Sequence, residues 1–261
     1  MMQRICACLC HPRFIGRYHK DRVGVIFLTV LIFLSLYTAV FAARCYTDEP
    51  FSSETYLSIT SCVITSDASD VVYDASNNKF SGSSKVINGS GFSLAILPEE
   101  EINFTTLGVN VILASEAASV YYGNYKISEI EYQNIKVSDF TFEGIINNNP
   151  SDIYNFKLFI EDVLCSSNVF FQSYTFLNGM ITILFYYLVI VIAIYIFAGL
   201  INQTIDRKVR IKLCFYDGLV FFVGAFFACI FNVGWLLYAS FVLPLIYATI
   251  TFRHIVKVVI K

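Results

Sequence analysis

Histidine and charged residues are both scarce in this chain. The shortage of charge argues against an ordinary soluble protein, and the shortage of histidine argues against histidine-dependent catalysis. Only 15% of the 261 residues are charged, whereas an average soluble domain has about a quarter. The histidines, His11, His19 and His254, lie outside residues 43–175, so that stretch cannot hold a Ser-His-Asp or Cys-His catalytic site. The chain also lacks GxSxG, HExxH, Walker and dinucleotide-binding motifs. We therefore expect no enzyme and no cofactor.

Four long apolar runs account for the shortage of charge. An uncharged helix of about 20 residues is about 30 Å long, which matches the hydrocarbon core of a bilayer. Backbone groups in lipid must pair internally, so each run is predicted to be a helix, and none alternates like a barrel strand. The predicted transmembrane helices are residues 23–42, 176–201, 213–231 and 235–252.

The first run has one alternative interpretation, a cleaved signal peptide. Val40 and Ala42 could occupy the −3 and −1 positions of a cleavage site, and a basic segment precedes the run. A signal-peptide apolar region usually has about 7 to 15 residues, and this run is longer. An uncleaved anchor is the favoured interpretation.

Basic residues predict the orientation of the helices. Three short segments, 1–22, 202–212 and 253–261, contain 12 of the 18 Lys and Arg residues. The positive-inside rule places all three segments in the cytosol, with both termini on the same side of the cell membrane. Residues 43–175, with six basic and 17 acidic residues, are then extracytoplasmic, and their negative charge argues against nucleic-acid binding.

The predicted extracytoplasmic domain has the composition of a β-rich α+β fold. Turn residues such as Asn88-Gly89 and Gly123-Asn124 separate short runs of β-forming residues. A helix is predicted to start at Asn149 as N-cap with Pro150 at its first position, and to pack on the sheet or lie on the membrane surface. The predicted strands are Tyr56–Thr65, Phe92–Leu97, Gly108–Ala114 and Ser119–Ile127, with a further alternating run at Asp139–Gly144.

Cysteines and acids give no strong metal signal. Cys45, Cys62 and Cys165 fall in the predicted external stretch, so at most one disulfide can form among them. The cytosolic Cys6, Cys8 and Cys10 could be palmitoylated or bind a soft metal, but reduced thiols are the simpler interpretation. Two acidic clusters do not match a calcium loop and are interpreted as solvated turns. Their members are Asp67, Asp70 and Asp74 in one cluster and Glu99, Glu100 and Glu101 in the other.

Asp217 is the one ionisable residue within the predicted transmembrane helices. Acids inside a membrane are costly, and they are functional candidates for that reason. Because Asp217 follows Lys212 by five residues, we expect it near the membrane interface, paired with Lys212 or Arg210 or with the helix N-terminus. Gly224 and Ala228 form a small-residue face that suits helix packing.

The layout resembles a bacterial membrane family called domain of unknown function 1189, found mainly in Firmicutes. The shared features are a basic lead with His11-Pro12-Arg13-Phe14, a first helix starting at Val23-Gly24, a β-rich insert and a helical bundle with an Asp206-Arg207-Lys208 turn. The chain departs from the family in its cysteine-rich lead and in its fourth-helix proline, Pro244, which lacks the threonine-proline pairing associated with the third helix of that family. Some members are labelled maltodextrin-utilisation proteins, but the family has no established activity and implies no functional residues.

Two hypotheses about function follow. The leading one is a non-enzymatic, membrane-anchored envelope protein whose extracytoplasmic domain binds a partner or an envelope component. The rival is an accessory or oligomeric subunit of a sugar or ion transport system, in which Asp217 would be functional. The expected partners are the lipid bilayer and a protein that binds the domain, and self-association into a homo-oligomer stays open.

Overall fold

The computed structural model describes residues 2–100, 102–104 and 108–259. They form two compact units, one from the residues up to Asp48 together with those from Tyr174 onward, and one from Glu49–Ser173. We call these the helical unit and the sheet unit. The predicted division into four long apolar helices and a separate β-rich insert is confirmed.

Helices account for most of the described residues. A 3₁₀ helix, Pro12–Lys20, follows the first α-helix, and a short 3₁₀ turn, Tyr132–Asn134, lies in the sheet unit. The α-helices of the described part are, in chain order, α1 (Met2–Cys10), α2 (Val23–Thr47), α3 (Ser53–Ile64), α4 (Phe142–Ile146), α5 (Pro150–Cys165), α6 (Asn168–Ile201), α7 (Arg207–Gly218), α8 (Val220–Phe231) and α9 (Gly234–Val259).

Four of the helical stretches are long and apolar enough to cross a membrane. They are Val23–Thr47, Asn168–Ile201, Arg207–Phe231 and Gly234–Ile255. Each contains one predicted run but extends past it by several residues. An apolar run marks only the part of a helix that suits the hydrocarbon core. The backbone hydrogen bonds of the helix continue beyond it into polar flanking residues.

The third long helix tightens near its middle, between α7 and α8. The N–H of Leu219 donates to the carbonyl of Tyr216 at 3.2 Å, three residues back instead of four. The Tyr187 hydroxyl of α6 donates to the carbonyl of Phe215 at 3.0 Å. A side chain from a neighbouring helix therefore takes the carbonyl that the Leu219 N–H would bond in a regular α-helix.

Close contact between α8 and α9 depends on Gly224. A Cβ atom at Gly224 would lie 2.3 Å from the Cβ of Ser240, and Ser240 is fully buried. The left-handed Asn232, at φ 53°, ends α8 and allows the chain to turn into α9. The predicted use of Gly224 in helix packing is confirmed.

The sheet unit contains two sheets. The five-stranded sheet has the order β3-β4-β5-β6-β7, in which β4 and β5 are parallel and the other pairs antiparallel. The three-stranded sheet has the order β2-β1-β8. The strands are β1 (Val72–Asp74), β2 (Lys79–Ser81), β3 (Lys85–Gly89), β4 (Phe92–Ile96), β5 (Val109–Leu113), β6 (Ala117–Tyr122), β7 (Tyr125–Glu131) and β8 (Phe140–Thr141).

An aromatic cluster forms the core between the three-stranded sheet and α5. Phe159 of α5 lies 5.0 Å from Tyr73 and 5.3 Å from Phe80, measured between ring centroids. Tyr132 and Phe140 complete the cluster at 5.4 and 5.5 Å from Phe159. The prediction that this helix packs on the sheet is thus confirmed.

The predicted start of α5 is also confirmed. The Asn149 side chain accepts a hydrogen bond from the Ser151 N–H at 3.0 Å, and Pro150 is the first residue of the helix. A proline is well tolerated there because the first helical N–H groups have no partner within the helix.

The prediction of a strand at Tyr56–Thr65 was wrong, because Ser53–Ile64 is helix α3. Tyr56, Ile59 and Val63 are buried, and their spacing of three and four residues places them on one helical face. The β-branched residues of this segment favour a strand, and burial of that face overrides their propensity.

Two other strand predictions need correction. The run Ser119–Ile127 contains a turn at Gly123-Asn124 and belongs to two antiparallel strands, β6 and β7. The alternating run Asp139–Gly144 is a strand only at Phe140–Thr141, after which the Thr141 hydroxyl accepts a hydrogen bond from the Gly144 N–H at 3.0 Å and begins α4.

Candidate functional site

A cleft of about 470 Å³ opens in the sheet unit between α3 and strands β4 and β5. Side chains from α3, α5, β4 and β5 line it. Parallel pairing sets Phe92 beside Val109 and Leu94 beside Val111, so all four side chains face the cleft. The apolar lining residues are Phe51, Ile59, Phe92, Leu94, Val109, Val111, Ile160, Leu164 and Phe171.

One wall of the cleft is a pair of aromatic rings. Phe51 and Phe171 meet edge to face with centroids 5.0 Å apart, and both are largely buried. Edge-to-face packing holds such rings in a defined orientation. The wall therefore gives the cleft a fixed aromatic surface.

Hydroxyl groups also line the cleft. Ser52, Thr55, Ser58 and Ser90 are among its lining residues, and each hydroxyl can both donate and accept a hydrogen bond. Among the described residues that line the cleft, Glu54 is the one that carries a charge. The described lining therefore suits a mainly apolar ligand that also carries polar groups, and it offers no cation to an anionic one.

The sequence did not predict this cleft, because the assignment of α3 as a strand removed one of its walls. The signal that could have found it is the helical spacing of Tyr56, Ile59 and Val63. With α3 as a helix, Thr55, Ser58 and Ile59 lie on the face that lines the cleft.

Asp217, the site residue predicted from sequence, is fully buried in the helical unit. Thr251 Oγ1 of α9 lies 2.7 Å from Asp217 Oδ1, within hydrogen-bond distance. The other oxygen, Oδ2, has no hydrogen-bond partner among the described residues. Cys8 and Cys214, which interact with Asp217, are also buried.

The predicted partners of Asp217 were wrong. Lys212 donates to the backbone carbonyl of Asp21 at 2.7 Å, and Arg210 donates to that of Asn202 at 3.0 Å. Helix geometry gives the reason, because a residue five positions away points about 140° aside and one seven positions away lies about 10 Å along the axis. Neither side chain meets Asp217 on the same turn.

The amino-terminal segment, residues 2–20, packs against the longer helices of the helical unit through specific contacts. Arg4 binds both oxygens of Asp21 at 2.8 and 3.0 Å, and the Tyr216 hydroxyl donates to Asp21 at 2.6 Å. The hydrogen bond from Arg4 lowers the pKa of Asp21. Cys8 belongs to this segment, and its burial raises the pKa of the thiol to about 12.

The described side chains of the two acidic clusters in the sheet unit do not gather around a common point. Asp70 accepts a hydrogen bond from the Ser83 N–H at 2.7 Å, and Asp67 pairs with Lys85 at 3.1 Å. Asp74 accepts from Ser76 and Asn77, and these hydrogen bonds lower its pKa to about 2. Glu99 and Glu100 are exposed, and Glu101 lies outside the described residues.

The cysteines are free in the structure, including Cys45, Cys62 and Cys165. Cys6 and Cys10 are exposed on α1, whereas Cys8 between them is buried. Across the described ranges, no group of three His, Cys, Asp or Glu side chains is arranged to hold a metal ion.

Comparison of the chain with protein-family models, with curated proteins and with solved structures finds no match. The resemblance to the family called domain of unknown function 1189 therefore stays a prediction. The cleft and the buried Asp217 are the two features from which function can be inferred.

Proposed function

We propose that this chain is a membrane-anchored binding protein of the cell envelope, without enzymatic activity, whose sheet unit holds a ligand outside the cytosol. The observation that carries the proposal is the cleft beneath α3. Its volume of about 470 Å³ falls within the range of small-molecule sites, which is about 300–1,000 Å³.

The proposed anchoring rests on the four long apolar helices. Each is long enough to cross a hydrocarbon core of about 30 Å, and the flanking basic segments favour a cytosolic location for both termini. The sheet unit then lies on the extracytoplasmic side, where its cleft would meet components of the envelope.

The lining of the cleft favours one chemical class of ligand. Among the described lining residues, aromatic and aliphatic side chains predominate, five carry hydroxyl groups, and Glu54 supplies one negative charge. A phosphate or carboxylate group would meet this charge without a compensating cation. We therefore propose a neutral or cationic amphiphile with an apolar body and a hydroxyl or amine group.

Filling the cleft is expected to abolish binding without unfolding the protein. Ser58 lines the cleft on α3, so the indole of Ser58→Trp should occupy its volume. Ser61→Trp makes the same change one turn later at an exposed position outside the lining. Native mass spectrometry of full-length protein purified from membranes should detect a bound amphiphile in the wild type and in Ser61→Trp, and none in Ser58→Trp.

Two results would contradict the proposed function. One is the same set of bound molecules in Ser58→Trp and Ser61→Trp, which would place binding elsewhere. The other is wild-type protein without any bound amphiphile that also fails to take up neutral and cationic fluorescent amphiphiles added in titration.

A transport role is the second candidate, and the buried Asp217 favours it. The acid lies two residues before Leu219, where the helix tightens, and interrupted helices with buried polar groups are common at transporter sites. If the chain is a transport subunit, Asp217→Asn should lower uptake of sugars or ions as strongly as deletion of the gene does. Unchanged uptake in both strains across the candidate substrates would remove this role.

A further inference from the structure

The Thr251 hydroxyl lies within hydrogen-bond distance of two acceptors. Its Oγ1 is 2.7 Å from Asp217 Oδ1 and 3.1 Å from the carbonyl oxygen of Pro12. A hydroxyl has one hydrogen and cannot donate fully to both. Both contacts become complete hydrogen bonds if the carboxyl group carries a proton, donates it to Thr251 Oγ1, and leaves the Thr251 hydrogen for Pro12.

The surroundings of Asp217 also favour the neutral acid. It is the only fully buried carboxyl group in the described part of the chain. Two basic residues of its own helix, Lys212 and Arg210, bind backbone carbonyls elsewhere, and the other two, Arg207 and Lys208, are exposed. An ionised carboxylate buried without a cation is far more costly than a neutral acid with a hydrogen-bond partner.

Within the described residues, no charged side chain of the packed elements pairs with Asp217. On α9, Arg253 is exposed, and His254 Nδ1 lies 3.2 Å from the carbonyl oxygen of Ile250. Cys8 approaches it from α1 and Cys214 from its own helix. Tyr187 of α6 lies near both of these thiols, and its hydroxyl already donates to Phe215. Arg4 of α1 is bound to Asp21.

We propose that Asp217 is a proton-binding site, and that its proton closes a relay from Asp217 through Thr251 to the Pro12 carbonyl. The relay fastens the amino-terminal segment to α7 and α9. Loss of the proton would turn the Thr251 hydrogen toward the carboxylate and leave the Pro12 carbonyl without it. This inference concerns the helical unit alone and does not depend on ligand binding in the cleft.

Infrared spectroscopy tests the proton directly in the full-length protein in phospholipid nanodiscs at neutral pH. The wild type should show the carbonyl band of a protonated carboxylic acid, and Asp217→Asn should lack it. Thr251→Val removes the acceptor of the carboxyl O–H, so the band should move to higher frequency. The variant Thr251→Val therefore assigns the band even if Asp217→Asn fails to fold.

Labelling of Cys8 tests the relay. In a background that keeps Cys8 and replaces the other cysteines with alanine, N-ethylmaleimide should modify Thr251→Val about tenfold faster than the parent protein, as expected for the loss of a buried hydrogen bond. Asp217→Asn should label at the parent rate, because its amide donates to Thr251 as the protonated acid does. The control Thr249→Val loses a hydroxyl bonded to Leu245 on the same helix and should also label at the parent rate.

The proposal is overturned by either of two results. A wild type without a protonated-acid band, or a band that neither variant changes, would mean that Asp217 is not the proton carrier. Labelling of Cys8 in Thr251→Val at the rate of Thr249→Val would mean that the relay does not hold the amino-terminal segment.

Discussion

Replacing Phe159 with alanine is expected to lower the free energy of unfolding of the sheet unit by about 3–5 kcal/mol. Phe159 is fully buried and contacts Tyr73, Phe80, Tyr132 and Phe140, with ring centroids 5.0 to 5.5 Å apart. Truncation removes its ring from the three-stranded sheet and from Tyr132, and it leaves a cavity that the rigid neighbouring rings cannot fill.

Tyr154→Ala is the matched control for Phe159→Ala. Tyr154 lies on the same helix, α5, and 62% of it is exposed, so its truncation should change the free energy of unfolding by no more than about 0.5 kcal/mol. Pulse proteolysis of the full-length protein in a urea series would follow cleavage within residues 49–173. The midpoint for Phe159→Ala should fall by on the order of 2 M relative to Tyr154→Ala. Equal midpoints would mean that the aromatic cluster is not the core of this unit.

The largest expected effect is an all-or-none difference in labelling by a membrane-impermeant reagent between residues on the two sides of the membrane. Twelve of the 18 basic residues lie in residues 1–22, 202–212 and 253–261. Moving such segments out of the cytosol is opposed by the positive-inside preference. Four spanning helices would return the chain to its starting side, and the basic charge of both terminal segments is consistent with that helix count. The sheet unit is therefore expected to be fully accessible from outside, and the loop that contains Thr204 inaccessible.

The features that the sequence predicts well are those set by neighbouring residues. The apolar runs locate the four long helices, and Asn149 with Pro150 locates the start of α5. Apolar composition and helix capping are both local properties of the sequence. The β4 and β5 strands follow from short β-forming runs near turn residues. Strand propensity fails at α3, where the packing of Tyr56, Ile59 and Val63 into the core decides the conformation.

The features that the sequence misses depend on contacts between distant residues. Asp217 pairs with Thr251, 34 positions later, and no local pattern marks threonine as the partner of an acid. Hydrogen bonds join the amino-terminal segment and the adjacent Asp21 to α7 and α9. Tyr216 of α7 bonds to Asp21. On α9, Thr251 contacts the Pro12 carbonyl and Tyr247 bonds to the Leu9 carbonyl. The cleft likewise requires α3, α5, β4 and β5 to be assembled. Only the tertiary structure brings these groups together.

Cysteine labelling from the two sides of the membrane tests the central claim, that four helices anchor an extracytoplasmic binding unit. Single cysteines would be placed as Ser84→Cys in the sheet unit and Thr204→Cys between α6 and α7, both at exposed positions, in a protein without its native cysteines. A membrane-impermeant maleimide should label Ser84→Cys in intact cells and Thr204→Cys only after permeabilisation. The reverse pattern would contradict the orientation, and labelling of both in intact cells would contradict the number of spans between them.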